Sequence, residues 1–358
     1  MKAVFCLTVA PMISAAMFVT AQQFPTAAVQ PSDRNTNYID DQGTAHITRV
    51  IPLPQTVSPE AREFLIEEQN QGPGGPKAPA APQGGGKDEG AMDMAAQWSK
   101  LLPNQLMNTQ IAGVLVRIVT PDGMPDANRD RVLINLHAGG FKFDADSYVE
   151  SISMAGYTKI KVVSVLYRML PKFQFPAPVD DVVAVYKELL KSYQPQHIGI
   201  YGGSAGAILT GEVAARLKQL GLPMPAALGI FSGHGDFARE GDSRSLFELG
   251  GYGFPVPLPA DRKSDPDYVG STDPRDPVLS PIYSDLHGLP PTLFVTGERD
   301  MLLSGVANLH RAFLLAGVDA RLVVWDAMPH MFWLNPKMPE AIEANHIMAD
   351  FFIKELAK

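Results

Sequence analysis

From about residue 110 onward, short apolar runs alternate with segments of helical periodicity, and this alternation constrains the fold more than any other feature. The apolar runs are rich in Val, Ile and Leu and occupy residues 114–119, 132–136, 162–167, 198–201, 227–231, 292–296 and 322–325. Such runs are typical of strands buried on both faces. Helical patterns lie at 180–193, 205–220, 306–317 and 339–356. The alternation predicts an α/β fold with a mostly parallel central sheet and helices on both faces.

The stretch IGIYGGSAGA, residues 198–207, places Ser204 among small residues where an apolar run meets a helical pattern. In that setting G-x-S-x-G forms a nucleophile elbow. The tight turn requires small residues at Gly202 and Gly206, and the helix N-terminus favours developing negative charge. The alternative is a glycine-rich turn that packs closely or binds phosphate. No GK[ST] follows, however, and the spacing is not G-x-G-x-x-G.

A serine nucleophile needs a base, an acid that orients the base, and donors for the oxyanion. LHAGGF, residues 136–141, follows an apolar run and is typical of an oxyanion loop. Gly139 and Gly140 are the expected donors in this loop, and the Ala205 amide is the expected third donor. His137 is expected to support the shape of the loop rather than to act as the base.

Two later strand ends carry the remaining candidates. Asp300, in GERDMLL, directly follows the run 292–296, at the edge where α/β sheets collect their sites. Glu298 is a rival for the acid, and a plain surface carboxylate is the other alternative. His330, in MPHMFW, lies on the next strand-end loop. The chain order Ser204, Asp300, His330 is the one expected of an α/β hydrolase.

The sequence resembles the hormone-sensitive-lipase-like branch of α/β hydrolases, the bacterial family IV esterases, over roughly residues 105–355. The segments that carry the resemblance are LHAGGF, YRMLPKFQFPAPVDD, YGGSAGA, DPRDPVLSPIYSDLHGLPPTLFVTGERDMLL and VVWDAMPHMF. The resemblance implies a catalytic domain over 105–358 and a helical cap formed by the segment 22–104 and an insertion at about 235–275. The chain departs from the family at Gly203, where aspartate is frequent, and at Ala207, where a second glycine is frequent.

The predicted function is hydrolysis of carboxylic esters with short to medium acyl chains, through an acyl-enzyme on Ser204. A lactone, amide or polyester hydrolase on the same three residues is the alternative within enzymes. A non-catalytic small-molecule receptor on the same fold is the alternative from another class, and the presence of His330 argues against it. His234 and the pair Tyr252 and Phe254 are candidates to line the substrate pocket, with an ordinary loop or cap-core role as the alternative.

Residues 1–21, MKAVFCLTVAPMISAAMFVTA, predict a signal peptide cleaved near Ala21 and export to the periplasm or the extracellular space. An anchoring helix is the alternative, but Pro11 interrupts a run that is barely long enough to span a bilayer. Cys6 is the single cysteine, so the mature chain would have no thiol for catalysis or metal binding. Residues 72–90, rich in Gly and Pro, predict a flexible linker within the cap segment.

Charge and histidine spacing exclude several other classes of function. The formal net charge is −8 and there is no block of Lys and Arg, so the chain has no basic field for nucleic acid. No pair of histidines has convincing metal-ligand spacing, and no metal or other cofactor is expected. The expected partner is therefore a small-molecule ester, with no stable membrane anchor. The sequence leaves open whether the protein is a monomer or a homodimer.

Overall fold

The computed structural model describes residues 37–47, 51–71, 89–144, 147–239, 241–246 and 266–358. The chain divides into two compact units, Met1–Pro52 and Leu53–Lys358. In the described part of the first unit, β1 (Asn37–Ile39) and β2 (Ala45–Ile47) form an antiparallel pair with Tyr38 opposite His46. The predicted signal peptide, Tyr252, Phe254 and nearly all of the predicted linker lie outside the described residues.

The described strands of the second unit form one eight-stranded sheet. Its members are β3 (Asn104–Ile111), β4 (Val114–Pro121), β5 (Val132–Leu136), β6 (Lys161–Val165), β7 (Ile198–Gly203), β8 (Ala227–Phe231), β9 (Thr292–Gly297) and β10 (Ala320–Trp325). The spatial order is β10-β9-β8-β7-β5-β6-β4-β3. Strands β5 to β10 pair in parallel, whereas β4 runs antiparallel to both β3 and β6.

Helices cover both faces of this sheet. Their bounds are α1 (Pro59–Gln71), α2 (Glu89–Leu101), α3 (Ser147–Thr158), α4 (Ala177–Leu189), α5 (Ala205–Gln219), α6 (Ser243–Leu246), α7 (Pro266–Val269), α8 (Leu303–Leu315) and α9 (Pro339–Glu355). Side chains of α4, α5 and α8 share one apolar cluster with the sheet, and side chains of α1, α2, α3 and α9 share the other. The β5 side chains alternate between the two: Val132, Ile134 and Leu136 enter the first, and Leu133 the second. Burial on both faces explains the continuous apolar runs.

The predicted fold class is confirmed, because each predicted run is a strand and each predicted helical pattern is a helix, with ends shifted by a few residues. Several elements had no prediction, among them β3 and α3. Strand β3 is polar and exposed along most of its length, so it shows no alternation of apolar residues. Helix α3 is buried around nearly its whole circumference, so it shows no single apolar stripe.

The two N-terminal helices of the second unit pack on the face that carries α3 and α9. Ser58 caps α1, and its Oγ accepts a hydrogen bond from the Ala61 amide at 3.0 Å. In α2 the buried Trp98 donates its indole N–H to the Leu334 carbonyl at 2.8 Å. The role of these helices as a cap stays a prediction. Within the described ranges, no helix is long and apolar enough to cross a membrane.

Candidate active site

The carboxyl ends of neighbouring parallel strands bring the predicted site residues to one edge of the sheet. The register sets Leu136, the last residue of β5, opposite Gly202, and Gly203, the last of β7, opposite Phe231. Phe231 pairs with Val295, close to the end of β9, and β10 ends with Trp325 opposite Gly297. The loops that follow β5, β7, β9 and β10 carry the predicted oxyanion donors, nucleophile, acid and base, respectively.

Ser204 occupies a strained turn between β7 and α5. Its φ and ψ are 52° and −119°, outside the regions that non-glycine residues prefer. A Cβ on Gly202 would lie 2.3 Å from the Leu136 carbonyl oxygen, and a Cβ on Gly206 would lie 1.7 Å from the same atom. Both flanking positions therefore require glycine because the turn is pressed against the end of β5.

Ser204, His330 and Asp300 form a continuous chain of hydrogen-bonding groups. The His330 Nε2 lies 2.9 Å from Ser204 Oγ, and the His330 Nδ1 lies 3.0 Å from Asp300 Oδ1. His330 is 5% exposed and Asp300 is 0% exposed. With Nδ1 protonated toward the carboxylate, Nε2 is left as an acceptor that can take the serine proton.

The buried Asp300 carboxylate is fully surrounded by donors. Its Oδ2 accepts hydrogen bonds from Thr296 Oγ1 at 2.8 Å and from Ser232 Oγ, while its Oδ1 accepts the Leu302 amide at 2.8 Å. Burial alone would raise the pKa of Asp300, but the attraction of His330 and these hydrogen bonds outweigh it and hold the pKa below its usual value. The Asp300 carboxyl therefore remains ionised at neutral pH.

The loop after β5 turns sharply at the two predicted oxyanion donors. Gly139 has φ 118° and Gly140 has φ 59°, conformations that glycine adopts without strain. Ala205 opens α5, and the N–H of a first helical residue has no carbonyl in a preceding turn to bond. The assignment of these three amides as oxyanion donors stays a prediction.

His137 is buried within the same loop and ordered by its neighbours. Its Nδ1 lies 2.7 Å from the Ala138 carbonyl oxygen, and its ring stacks on Tyr167 with centroids 4.2 Å apart. The Tyr167 hydroxyl donates to the His137 carbonyl at 2.7 Å. Burial lowers the pKa of His137, which favours the neutral ring with a proton on Nδ1. These contacts hold the backbone at the entrance to the Gly139–Gly140 turn.

A family model described as the alpha/beta hydrolase fold matches residues 133–334. The chain belongs to the α/β-hydrolase fold family. The match begins in β5, just before the oxyanion loop, and ends after His330, so it spans every predicted site residue of this hydrolase.

Similar proteins identify the hydrolase as one that cleaves esters. An acetyl-hydrolase of Streptomyces hygroscopicus is 32% identical over 244 residues, which are 66% of this chain and 81% of that protein. The crystal structure of an esterase named E25 has a TM-score of 0.71 and 29% identity, covering 86% of this chain and 97% of that one. An esterase from the bacterial hormone-sensitive lipase family has a TM-score of 0.69 and 28% identity, covering 84% and 99%. The resemblance inferred from the sequence motifs is confirmed: the protein is an ester-hydrolysing enzyme.

Glu298, the rival candidate for the acid, and His234, a candidate to line the pocket, make no hydrogen bond to Ser204, His330 or Asp300 among those described. Glu298 is exposed, and its Oε2 accepts the Ala327 amide at 3.3 Å. The His234 Nδ1 accepts the Asp236 amide at 3.3 Å, and burial, followed by the nearby Arg244, lowers the pKa of His234 to about 4. Among the described residues, no group of three or more His, Cys, Asp or Glu side chains is arranged to hold a metal ion.

Three residues at the site were not predicted from the sequence of this hydrolase. Ser232 directly follows β8, so its place at a strand end was a signal that could have found it. Thr296 lies inside a buried strand, and a lone hydroxyl in an apolar run was a weaker signal. Glu150 lies in α3 and contacts the residue before the nucleophile. No motif marks Glu150, because a glutamate in a helix is ordinarily a surface residue.

Proposed function

We propose that this esterase hydrolyses carboxylic esters with short to medium acyl chains, using Ser204 as nucleophile, His330 as general base and acid, and Asp300 as the group that orients His330. The observation that carries the proposal is the hydrogen-bonding chain from Ser204 Oγ through His330 to Asp300, with distances of 2.9 and 3.0 Å. The neutral His330 Nε2 accepts the Ser204 proton as Oγ attacks the ester carbonyl. The π electrons of the carbonyl move onto its oxygen, which becomes an oxyanion.

The oxyanion is bound by the Gly139, Gly140 and Ala205 amides, each such donor typically contributing about 10²–10³ in rate. Collapse of this intermediate breaks the bond to the alcohol, which leaves with the proton from His330 Nε2. A water molecule then attacks the acyl-serine, giving its proton to Nε2. The second tetrahedral intermediate collapses by breaking its bond to Ser204 Oγ. That oxygen takes the proton back from His330 Nε2, and the carboxylic acid is released. The ionised Asp300 stabilises the imidazolium formed in each half-reaction.

The acyl-chain preference is part of the proposal and rests on the family resemblance and on a relative. The Streptomyces protein is named an acetyl-hydrolase, which favours small acyl groups for this chain as well. We further propose export to the periplasm or the extracellular space, supported by the signal-peptide pattern of residues 1–21. The active species is proposed to be the mature chain beginning after Ala21, either alone or as a homodimer.

The acyl preference is tested with p-nitrophenyl acetate, butyrate, octanoate and palmitate. We expect kcat/KM to be highest for acetate or butyrate and at least about tenfold lower for palmitate, because a pocket shaped for short chains loses on the order of 1–3 kcal/mol for each methylene that does not fit. Initial rates are measured below substrate saturation, with a catalytically inactive variant as the blank. A kcat/KM for palmitate that exceeds the value for butyrate contradicts the proposed preference.

A further inference from the structure

Other side chains occupy the space that a side chain on Gly203, the residue before the nucleophile, would need. A Cβ on Gly203 would lie 2.4 Å from Glu150 Oε1 and 2.6 Å from the Met331 Cε methyl. Gly203 does not have a positive φ, so its φ alone does not require glycine. Glycine is therefore required at this position because the Glu150 carboxyl occupies the space behind the elbow.

The Glu150 carboxyl is buried and firmly held. It lies in α3, and the residue is 2% exposed. Its Oε2 accepts a hydrogen bond from Asn135 Nδ2 at 3.0 Å. The Asn135 Oδ1 in turn accepts hydrogen bonds from Ser164 Oγ at 2.6 Å and Ser151 Oγ at 3.4 Å, which directs the amide NH₂ of Asn135 toward Glu150. Asn135 of β5, which two serine hydroxyls hold in place, thus orients the Glu150 carboxyl group.

The same carboxyl lies beside the two segments that carry the nucleophile and the base. Gly203 directly precedes Ser204, and Met331 and Trp333 closely follow His330. The Trp333 indole and the Gly203 amide both stabilise the ionised carboxyl. Neither Glu150 Oε1 nor Trp333 Nε1, however, has a hydrogen bond of full geometry to any described residue, although both atoms are buried. A buried, incompletely bonded carboxyl is costly, and such costs are typical of functional sites.

We propose that Glu150 is a positioning residue of the esterase site: its carboxylate draws Gly203 and Trp333 together and so holds Ser204 Oγ and His330 Nε2 at hydrogen-bonding distance. The inference rests on the proposed function, since it concerns the same nucleophile and base. Glu150 acts through Gly203 and the 331–333 segment.

The charge state of Glu150 changes near neutral pH. Burial, with a smaller contribution from Asp144, raises the pKa of Glu150 to about 7, against the opposing effects of Asn135, Trp333 and Gly203. Asp144 lies on the α3 side with Arg117 and His137 as its charged or titratable neighbours. On the side of the nucleophile turn, the neighbour of the carboxyl is Gly203, which has no charged side chain. On the side of Met331, the titratable residue is His330. Below about pH 7 the neutral carboxyl accepts hydrogen bonds more weakly, so it positions the two segments less well.

The raised pKa of Glu150 also predicts how folding stability depends on pH. In the unfolded chain this carboxyl ionises near its ordinary value of 4.5, whereas in the folded chain it ionises near 7. As the pH rises from about 4.5 to 7, the unfolded state therefore loses its proton first, and folding stability decreases. Replacing Glu150 by glutamine removes this cost. A residue kept for function rather than stability should give a variant that is less active but no less stable.

The test compares wild-type esterase with Glu150→Gln in kcat for p-nitrophenyl butyrate from pH 5.5 to 8.5, and in Tm at pH 8. We expect the ratio of wild-type to variant kcat to be near one at pH 5.5 and about ten- to hundredfold at pH 8, because misplacement at a site costs rates of that order. We expect the Tm of the variant to equal or exceed that of wild type. Taking the ratio removes any pH dependence that the two proteins share.

A matched control is Glu355→Gln, since Glu355 is also buried, at 3% exposed, and also has an Oε1 without a partner among the described residues. It lies at the end of α9 and pairs with Lys358, so its kcat profile should match that of wild type. A second pair of variants places the carboxyl on another residue. Glu150→Ala is expected to lower kcat, and adding Gly203→Asp to that variant should raise kcat again by at least about tenfold. The vacated space accepts the new side chain once the flexible Met331 methyl shifts.

A pH-independent kcat ratio, a variant within twofold of wild type at pH 8, or a loss of kcat accompanied by a lowered Tm overturns the inference. These results leave the proposed function intact as long as wild type hydrolyses the ester. An inactive wild type would instead reject the proposed function itself.

Discussion

Ser204→Ala is expected to lower kcat for p-nitrophenyl butyrate by about 10⁴–10⁶-fold, leaving only the rate that oxyanion binding and substrate positioning can supply. The physical reason is the loss of the attacking oxygen, because an alanine side chain has no atom that can form the acyl-enzyme. Alanine keeps the Cβ, so the strained φ of 52° at this turn is no worse in the variant. The Ser204 side chain makes no capping hydrogen bond to α5, so the fold should persist.

The matching control is the thermal stability of the variant. We expect its Tm to stay within a few degrees of wild type, since a single lost hydrogen bond to His330 is worth about 1 kcal/mol. Ester turnover within tenfold of wild type in a well-folded Ser204→Ala protein would mean that the nucleophile lies elsewhere.

Asp300→Asn is expected to lower kcat by about 10⁴-fold while preserving the shape of the site. An asparagine that keeps its carbonyl oxygen beside the Thr296 and Ser232 hydroxyls turns its NH₂ toward His330 Nδ1. The same NH₂ then also faces the Leu302 amide, which loses its acceptor. His330 would then carry its proton on Nε2 and could not accept the Ser204 proton. The measurement is kcat at pH 8, together with an NMR assignment of the His330 tautomer.

The rival acid gives the comparison for this prediction. Glu298 is exposed and bonds the Ala327 amide, which a glutamine oxygen can also accept. Glu298→Gln should therefore retain kcat within about threefold, in line with the small effect of most surface substitutions. Activity that survives in Asp300→Asn but is lost in Glu298→Gln would assign the acid to Glu298.

The sheet and the positions of the site residues could be predicted because parallel strands impose regular patterns on the sequence. Strands such as β5 are buried on both faces and read as continuous apolar runs, and the loops after their carboxyl ends must meet at one edge. Ser204 is further marked by the glycines on each side, which the Leu136 carbonyl oxygen leaves no room to replace. Local sterics and topology were therefore sufficient for these residues.

Other features could not be predicted because their cause lies in distant contacts. Strand β3 is exposed and is defined by its pairing with β4, as in Met107 opposite Ile118. No local sequence pattern indicates this pairing. Glu150 reads as a surface glutamate, and only packing of α3 against the elbow brings it beside Gly203. Gly203 itself departs from the family pattern, and its reason became visible only with the space that Glu150 occupies.

The central claim is that Ser204, activated by His330 and Asp300, forms the covalent acyl-enzyme, and a fluorophosphonate tests it most directly. The reagent phosphonylates an activated serine with loss of fluoride, and peptide mass spectrometry locates the adduct. The account predicts one adduct per chain, on Ser204, formed in parallel with the loss of ester hydrolysis and absent from Ser204→Ala. An adduct on another serine that tracks the loss of activity, or full inhibition with Ser204 unmodified, would contradict it.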